Sequence, residues 1–498
     1  MATGDVSRFL RHSGIYAIGN ALNRLGAFLL LPLYTRYLTP GEYGTLELFY
    51  ALSALISSVL AVGLSHATLR FYFDFDAQTD RNRVVSTNLL ASLVLSAGGA
   101  LAVALAGDRI AGWVLGSAPP PWAMPLMLAT IVFELSSQVA LAYLRAREMS
   151  VFFVTLALTK LVVQCTANTV LLLHYHAGVA GVLGGNLLAV VMGWLIVAGY
   201  TVRHCGLQFE WAKLVPVLRY TLPFMGATLL AVLGSNVDRF MVSHLLSLEA
   251  LGIYALAMKF SKLISDLIGE PFNRAYGAFR YTIMGQPDAG ATQARITRYV
   301  AAALAAVALG VALLTDDVLH VMATPQFWPA GELMPMLAFS AALYTLAYPL
   351  QSGIFFSKNT KHMFMLTLLQ LVLGIMVGVP LIWAFGLQGL GATQVVLALV
   401  NLAATHHYSQ RYFPVHYEWT RFAWLAGLWV LFWAATLPLA SWEMPLVGSV
   451  LCKLGLIAGF VVAVLGSPVL QAGERAQLGS LVRRLRGRHK TPELPQAS

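Results

Sequence analysis

Charge is what this 498-residue chain has least of: Asp, Glu, Lys and Arg together make up 11% of it, where a soluble domain carries roughly 25%. That scarcity excludes a string of ordinary soluble domains, because the apolar share, 58%, is spread over the whole length. Cysteine is scarcer still. Cys165, Cys205 and Cys452 show neither metal-ligand spacing nor an even-numbered framework, which excludes a disulfide-stapled fold and a thiolate metal site. Cys165 and Cys452 lie in apolar runs, where a free thiol is expected to pack as a small hydrophobe. Also absent are a glycine-rich phosphate loop, a serine–histidine–acid order and a metal-ligand cluster. The histidines supply no substitute. His174 and His176 flank Tyr175 at the end of an apolar run, and His406 and His407 end another, positions that suit the membrane–water interface better than a metal or a proton relay.

What the chain has in abundance is long apolar runs of the length that crosses a bilayer, about 20 residues. Fourteen are expected: 13–38, 45–68, 85–107, 124–144, 151–174, 180–202, 221–247, 251–272, 299–315, 332–355, 362–385, 388–408, 422–440 and 446–470. Only helices and closed barrels satisfy the backbone in lipid, and these runs are too long and too apolar for barrel strands. An all-α integral membrane protein follows. The first run is interrupted by Arg24 and is followed by no small-residue cleavage site, so it is expected to stay as a span rather than leave as a signal peptide.

The basic residues orient these spans. With the N-terminus in the cytoplasm, the cytoplasmic segments hold 24 Lys and Arg, and the opposite loops hold one, Arg109. This is the positive-inside asymmetry, and it places both termini in the cytoplasm. The net charge of +10 is therefore a membrane signature rather than a sign of nucleic-acid binding. The tail "RRLRGRHK" (483–490) continues the pattern and suits contact with anionic lipid.

An internal repeat runs beneath the spans. "YLTPGEYG" (37–44) matches "LLSLEALG" (245–252), aligning Gly44 with Gly252. "GVAG" (178–181) matches "GLQG" (386–389), aligning Gly178 with Gly386 and Gly181 with Gly389. "MPLML" (124–128) matches "MPMLA" (334–338) at nearly the same offset. The repeat carries the first six spans onto the next six. An even number keeps both halves in one orientation, so the repeat is parallel, an arrangement transporters use to build a site between lobes. The expected organisation is an N-terminal lobe (1–210), a C-terminal lobe (211–410), two additional helices (411–470) and a basic tail (471–498).

Charges inside the spans carry the functional argument. Arg24, Lys160, Lys259 and Lys262 lie about 12–16 Å from the nearer span end at helical rise. Glu134, Asp238 and Asp266 are the acids at depth, with Glu47 and Glu270 nearer an end. Each charge at the bilayer centre costs at least about 2.5–3.5 kcal/mol, so these groups must face one another or water. Lys259, Lys262, Asp266 and Glu270 are spaced by three, four and four, which stacks them on one helix face and lets Lys262 pair with Asp266. The stripe is either a structural ion-pair ladder or the cationic wall of a hydrated cavity that receives an anion. Arg24 either lines such a cavity or pairs with Glu134 or another acid, and Lys160 is divided evenly between cavity lining and structural pairing. Asp238 and Arg239, adjacent and so about 100° apart on the helix, are not expected to pair with each other. Arg239 is read as a structural ion-pair partner of another helix, and Asp238 as such a partner or as a coupling-ion or proton site.

"FLLLPLYTRYLTPGEYGTLEL" (28–48) and "NVDRFMVSHLLSLEALGIYALAMKF" (236–260) resemble the Wzx-type polysaccharide flippases. These belong to the multidrug/oligosaccharidyl-lipid/polysaccharide exporter (MOP) superfamily and are related to the lipid II flippase MurJ and to MATE exporters. The resemblance covers roughly residues 10–410. It implies two six-helix lobes around a central cavity, alternating access by rocking, and a non-enzymatic role in the inner membrane. The implied cargo is an undecaprenyl-diphosphate-linked oligosaccharide, with membrane lipids and the polymerase and chain-length regulator of the same pathway as partners. Arg24 resembles the first-span arginine of lipid II flippases, and Lys259 and Lys262 stand where related flippases carry cavity cations. The expected substrate-binding set is thus Arg24, Lys160, Lys259 and Lys262, with Glu134, Asp238, Asp266 and Glu270 as cavity or coupling acids. No bound cofactor or metal is implied, and a proton or sodium gradient is the candidate driving force. The eleventh span offers only Gln370 where sodium-coupled relatives use a carboxylate, and the first span has no acid of the MATE kind. Alternatives are a lipid II or drug exporter of the same superfamily and a membrane glycan polymerase. A polymerase needs a large outer loop with catalytic groups, and the loops 108–123 and 316–331 are short.

Overall fold

The computed structural model describes residues 26, 28, 30–106, 112, 120–357, 361–438 and 445–469. Every regular element among them is helical. The helices are α1 (Leu31–Tyr37), α2 (Pro40–Leu60), α3 (Leu64–Tyr72), α4 (Gln78–Leu105), α5 (Ala123–Ala146), α6 (Ser150–Leu173), α7 (Gly178–Cys205), α8 (Trp211–Leu245), α9 (Leu248–Ile264), α10 (Glu270–Ile283), α11 (Ala289–Met322), α12 (Ala330–Leu350), α13 (Ser352–Phe356), α14 (Lys361–Gln410), α15 (Trp419–Ala434) and α16 (Leu446–Gly466). Nine helices among the described residues are long and apolar enough to cross a membrane, ten if the bent α8 is one span. Length and composition pick out fewer spans among these residues than the fourteen expected over the whole chain, and the first expected run, 13–38, lies mostly outside the described residues. The other reasons are local. α9 is interrupted, α15 has 16 residues, and α14 counts once although Gly386 (φ 60°) divides it.

Several boundaries differ from the hydropathy reading because polar residues extend a helix beyond its apolar part. α2 starts at Pro40 because Thr39 and Glu42 form a capping box: the Glu42 N–H donates to Thr39 Oγ1 (3.2 Å) and the Thr39 N–H to Glu42 Oε2 (2.9 Å). This T-x-x-E signal satisfies two end donors reciprocally. α2 stops at Leu60, not 68, since Val62 and Gly63 take left-handed backbones (φ 45° and 65°) before α3 begins. α11 carries Arg295 and Arg298 in its first turns and Asp316 and Asp317 near its end, all expected in loops. α8 bends by 45° between Pro223 and Met225, where proline removes a helical donor.

Packing divides the chain into two compact units. The first comprises Met1–Leu256, Leu319–Pro329 and Thr367–Thr393. Its core includes Leu64, Leu89, Val139, Leu144, Leu156 and Val197. Polar side chains bond to one another inside it: Asn168 Nδ2 donates to the Tyr34 hydroxyl (2.7 Å), and Trp194 Nε1 donates to Ser136 Oγ (2.9 Å). Such pairs replace the water that lipid cannot supply. The second unit comprises Ala257–Val318, Ala330–Leu366 and Gln394–Ser498, with Leu304, Leu309, Leu313, Leu350, Trp429 and Phe460 in its core. Large apolar side chains such as Val94, Leu101, Leu105, Trp383, Val447 and Val462 are exposed. A water-soluble monomer rarely exposes so much apolar surface, but in a bilayer this surface meets acyl chains. Cys452 is exposed on α16, which corrects the expectation that it packs inside the chain: the apolar run around it turns that position outward.

The repeat has direct structural expression within the first unit. Gly178 and Gly386, aligned by the repeat, both have left-handed backbones (φ 52° and 60°), the conformation glycine adopts at no steric cost. Gly44 on α2 and Gly252 on α9, also aligned, pack against each other. A Cβ on Gly44 would run into the Leu248 carbonyl and lie 2.9 Å from the Gly252 nitrogen. A Cβ on Gly252 would run into the Pro40 carbonyl and lie 3.1 Å from the Gly44 nitrogen. Pro40 and Leu248 are themselves separated by the repeat offset. The contact is reciprocal, as across a two-fold axis.

Candidate transport site

α5 and α6 meet at a recess of about 270 Å³ within the first unit. Glu134, Gln138, Leu141 and Arg145 reach it from α5, and Phe153, Leu156, Ala157 and Lys160 from α6. Spacings of four, three and four put the α5 residues on one face. Lys160 Nζ donates to Glu134 Oε2 at 3.1 Å, and Gln138 Nε2 donates to Glu134 Oε1 at 3.0 Å. Gly193 on α7 makes room for the lysine stem: a Cβ there would lie 2.6 Å from Lys160 Cδ and 2.7 Å from Cγ. Glu134 thus takes donors from its own helix and from the next. Two cations and one carboxylate give the recess a positive balance in an apolar hairpin. Such a recess can hold an anionic group or exchange a proton or small cation on Glu134. Gln138 and Arg145 were not among the expected site residues, although their spacing from Glu134 was visible in the sequence. Gly193 carried no sequence signal, because its role depends on how α7 lies over α6.

Asp238 and Arg239 form a second ionic cluster in the first unit. Asp238 is buried and accepts from the Tyr254 hydroxyl. Arg239 Nε lies 3.9 Å from Glu47 Oε2 on α2, and Nη1 lies 3.7 Å from Asp238 Oδ1. The expectation that the two neighbours do not pair is corrected. Their side-chain directions diverge, but the arginine side chain is long enough to fold back, and the backbone N–H of Arg239 donates to Asp238 Oδ1 (2.9 Å). Nη1 also donates to the Ser235 carbonyl and to Asn236 Oδ1 (3.2 and 3.3 Å). The guanidinium is a multiply anchored crosslink between α8 and α2.

Lys259, Lys262, Asp266 and Glu270 lie in the second unit. Lys259 and Asp266 are half-buried and Lys262 is exposed. No ion pair joins Lys262 to Asp266 among the described residues. Glu270 instead pairs with Arg274, one turn on, at 3.2 Å. The stripe does not run on as one α-helical face, because Ser265–Gly269 is a π-turn. Pro271 follows it and lacks the N–H an α-helix would need there. The wider π-turn accommodates the proline ring and changes the register by which Glu270 follows Asp266. Gly269 sits in this turn against Thr345: a Cβ there would lie 2.6 Å from Thr345 Cγ2. Arg24 lies outside the described residues. The structure thus brings together Lys160 with Glu134, and Asp238 with Arg239. A third pair lies in the second unit: Lys453 Nζ on α16 donates to Asp317 Oδ2 on α11 at 2.6 Å, and Ser449 Oγ donates to Oδ1 at 2.7 Å.

Long apolar helices and a lipid-compatible surface define a multi-pass membrane protein. The fold is similar to that of the lipid II flippase MurJ in an inward closed conformation, with a TM-score of 0.73, 11% identity, and coverage of 90% of this chain and 98% of that one. It is also similar to an inward-facing multidrug resistance MATE family transporter of the MOP superfamily, with a TM-score of 0.57, 15% identity, and coverage of 81% and 96%. The family described as polysaccharide biosynthesis protein matches residues 9–276, more than half of the chain, and the chain belongs to that family. A relative, "Lsg locus putative protein 1" of Haemophilus influenzae, is 24% identical over 292 residues, 56% of this chain and 67% of that protein.

Proposed function

We propose that the chain is a flippase. Its cargo is an undecaprenyl-diphosphate-linked oligosaccharide repeat unit, carried from the cytoplasmic to the periplasmic leaflet of the inner membrane for exopolysaccharide, capsule or O-antigen synthesis. The observation that carries this reading is membership of the polysaccharide biosynthesis family on a fold similar to that of a lipid II flippase over 90% of the chain. Such a cargo pairs a prenyl chain, soluble in lipid, with a diphosphate and sugars that are not. Its transporter must offer the polar part an alternative to water and then release it.

Lys160, with Arg24, Lys259 and Lys262, supplies the positive charge that meets the diphosphate. A lysine ammonium is compact and strongly hydrated, so it attracts phosphate without the bidentate grip of a guanidinium. Glu134, Asp238, Asp266 and Glu270 temper that charge or couple transport to a proton or sodium gradient. Access alternates between the two sides, both termini stay in the cytoplasm, and the glycan leaves chemically unchanged. A polymerase and a chain-length regulator act next on the exported unit.

The test is reconstitution. Purified protein in liposomes, given a fluorescent prenyl-diphosphate oligosaccharide, should move it between leaflets with its glycan length unaltered. Elongated glycan, or leaflet exchange no faster than in empty liposomes, overturns the proposal. A second reading, export of lipid II or a drug, draws on the likeness to the lipid II flippase and the MATE transporter. Competition by unlabelled lipid II or a cationic drug in the same assay decides between the two.

A further inference from the structure

The second unit contains a polar recess that the transport reading does not use. It has a volume of about 430 Å³ and lies where the N-terminal ends of α11 and α15 come together. Arg295, Arg298 and His416 line it, with Thr292, Asp288 and Glu418. The two carboxylates are already engaged. Asp288 Oδ2 accepts from Thr292 Oγ1 at 3.3 Å. Glu418 Oε2 lies 3.3 Å from Arg298 Nη1 and also contacts the Arg421 guanidinium. The guanidiniums of Arg295, Arg298 and neighbouring Arg421 outnumber the carboxylates of Asp288 and Glu418, and the positive ends of two helix dipoles add to this remainder.

The recess does not end in protein core. Phe422 lines both it and a second, apolar groove bounded by Ala301, Leu304 and Ala305 of α11, Leu343 of α12 and Trp429 of α15. From Arg298 to Ala305, and from Glu418 to Trp429, the same two helices lead from the charged end into this groove. A cationic cup opening onto an apolar trough matches an amphiphile with an anionic head and a hydrocarbon chain. It does not match a soluble anion, which has no use for the trough.

We propose that this is a binding site for an anionic phospholipid, its phosphodiester in the cup at Arg295 and Arg298 and one acyl chain along the groove. Basic pockets between spanning helices hold such headgroups on the cytoplasmic side, the side to which the basic residues assign these helix ends. Trp419, beside the groove and 41% exposed, sits where amphipathic rings mark the lipid–water boundary.

The full chain in neutral-detergent micelles tests this by native mass spectrometry with phosphatidylglycerol and phosphatidylcholine as probes. Wild type should retain phosphatidylglycerol in preference to phosphatidylcholine. Arg295→Gln, at an exposed position without an ion pair among the described residues, should weaken phosphatidylglycerol retention about fivefold, the loss of one basic contact at an anionic surface, and leave phosphatidylcholine unchanged. Ala305→Phe fills the groove without touching a charge and should lower retention of both lipids. Equal retention of the two lipids by wild type, or no effect of either variant, overturns the site. Displacement of phosphatidylglycerol by millimolar inorganic phosphate overturns the lipid assignment and makes the cup a soluble-phosphate site.

Discussion

Lys160 reaches Glu134 across a position where α7 has no side chain. Gly193→Ala puts a methyl 2.6 Å from Lys160 Cδ, so the lysine must leave or the helices must part, a kind of overpacking that costs about 1–3 kcal/mol. The same change in a Lys160→Ala background should be nearly silent, because the obstructed stem is gone. Melting curves for wild type, both single variants and the double variant measure this non-additivity; equal costs in both backgrounds would refute the link. Lys262 makes the opposite forecast. Being exposed, it should be replaceable by Ala within about 0.5 kcal/mol of stability, while flipping falls about tenfold if it meets the diphosphate, as a charged hydrogen bond of about 1.5 kcal/mol requires. Lys262→Glu should be worse. A fully active Lys262→Ala ends that role. At this scale the sequence showed which residues were charged and deep, since membrane depth makes charge conspicuous. It did not show partners: Glu134 stood as a candidate partner of Arg24, and only the docking of α5 on α6 brings Lys160 to it.

Two interruptions of these helices are forced by a proline or a glycine: the π-turn before Pro271 and the division of α14 at Gly386. The π-turn before Pro271 was legible in principle from "GEP" (269–271), but apolar runs on both sides concealed it. Hydropathy registers solubility and not hydrogen-bond register. The capping box at Thr39 was legible in full, and it was the apolar boundary at 45 that misled. The α2–α9 crossing yields a sharp forecast. Gly44→Ala and Gly252→Ala each drive a methyl into a backbone carbonyl of the opposite helix, and backbone cannot swing aside as a side chain can. Each should cost about 1–3 kcal/mol or more. The double variant should cost well under the sum, since one separation of the helices relieves both clashes. Thermal melts of the purified variants check this, and additive losses would mean that the two glycines do not share one contact.

The orientation proposed for the whole chain from its basic residues is open to a direct measurement. Reporter fusions at Ala330, the start of α12, should read as periplasmic, and at Lys361, the start of α14, as cytoplasmic; the reverse at either site breaks the proposed topology. All-helical architecture was legible from composition because lipid leaves the backbone so few options. The internal repeat was legible from a handful of glycines because glycine marks places where backbone geometry, not side-chain chemistry, is under constraint. The packing units were not legible, since they join segments far apart in sequence. The Gly44–Gly252 contact then has a consequence for descent. If the two halves arose by duplication, the ancestral half met a second copy of itself at this residue, and a single codon specified both sides of the crossing. Fusion turned that one codon into two while leaving one steric requirement. Neither can now drift to a larger residue alone, so this crossing should preserve the memory of the ancestral dimer after the rest of the two halves has diverged.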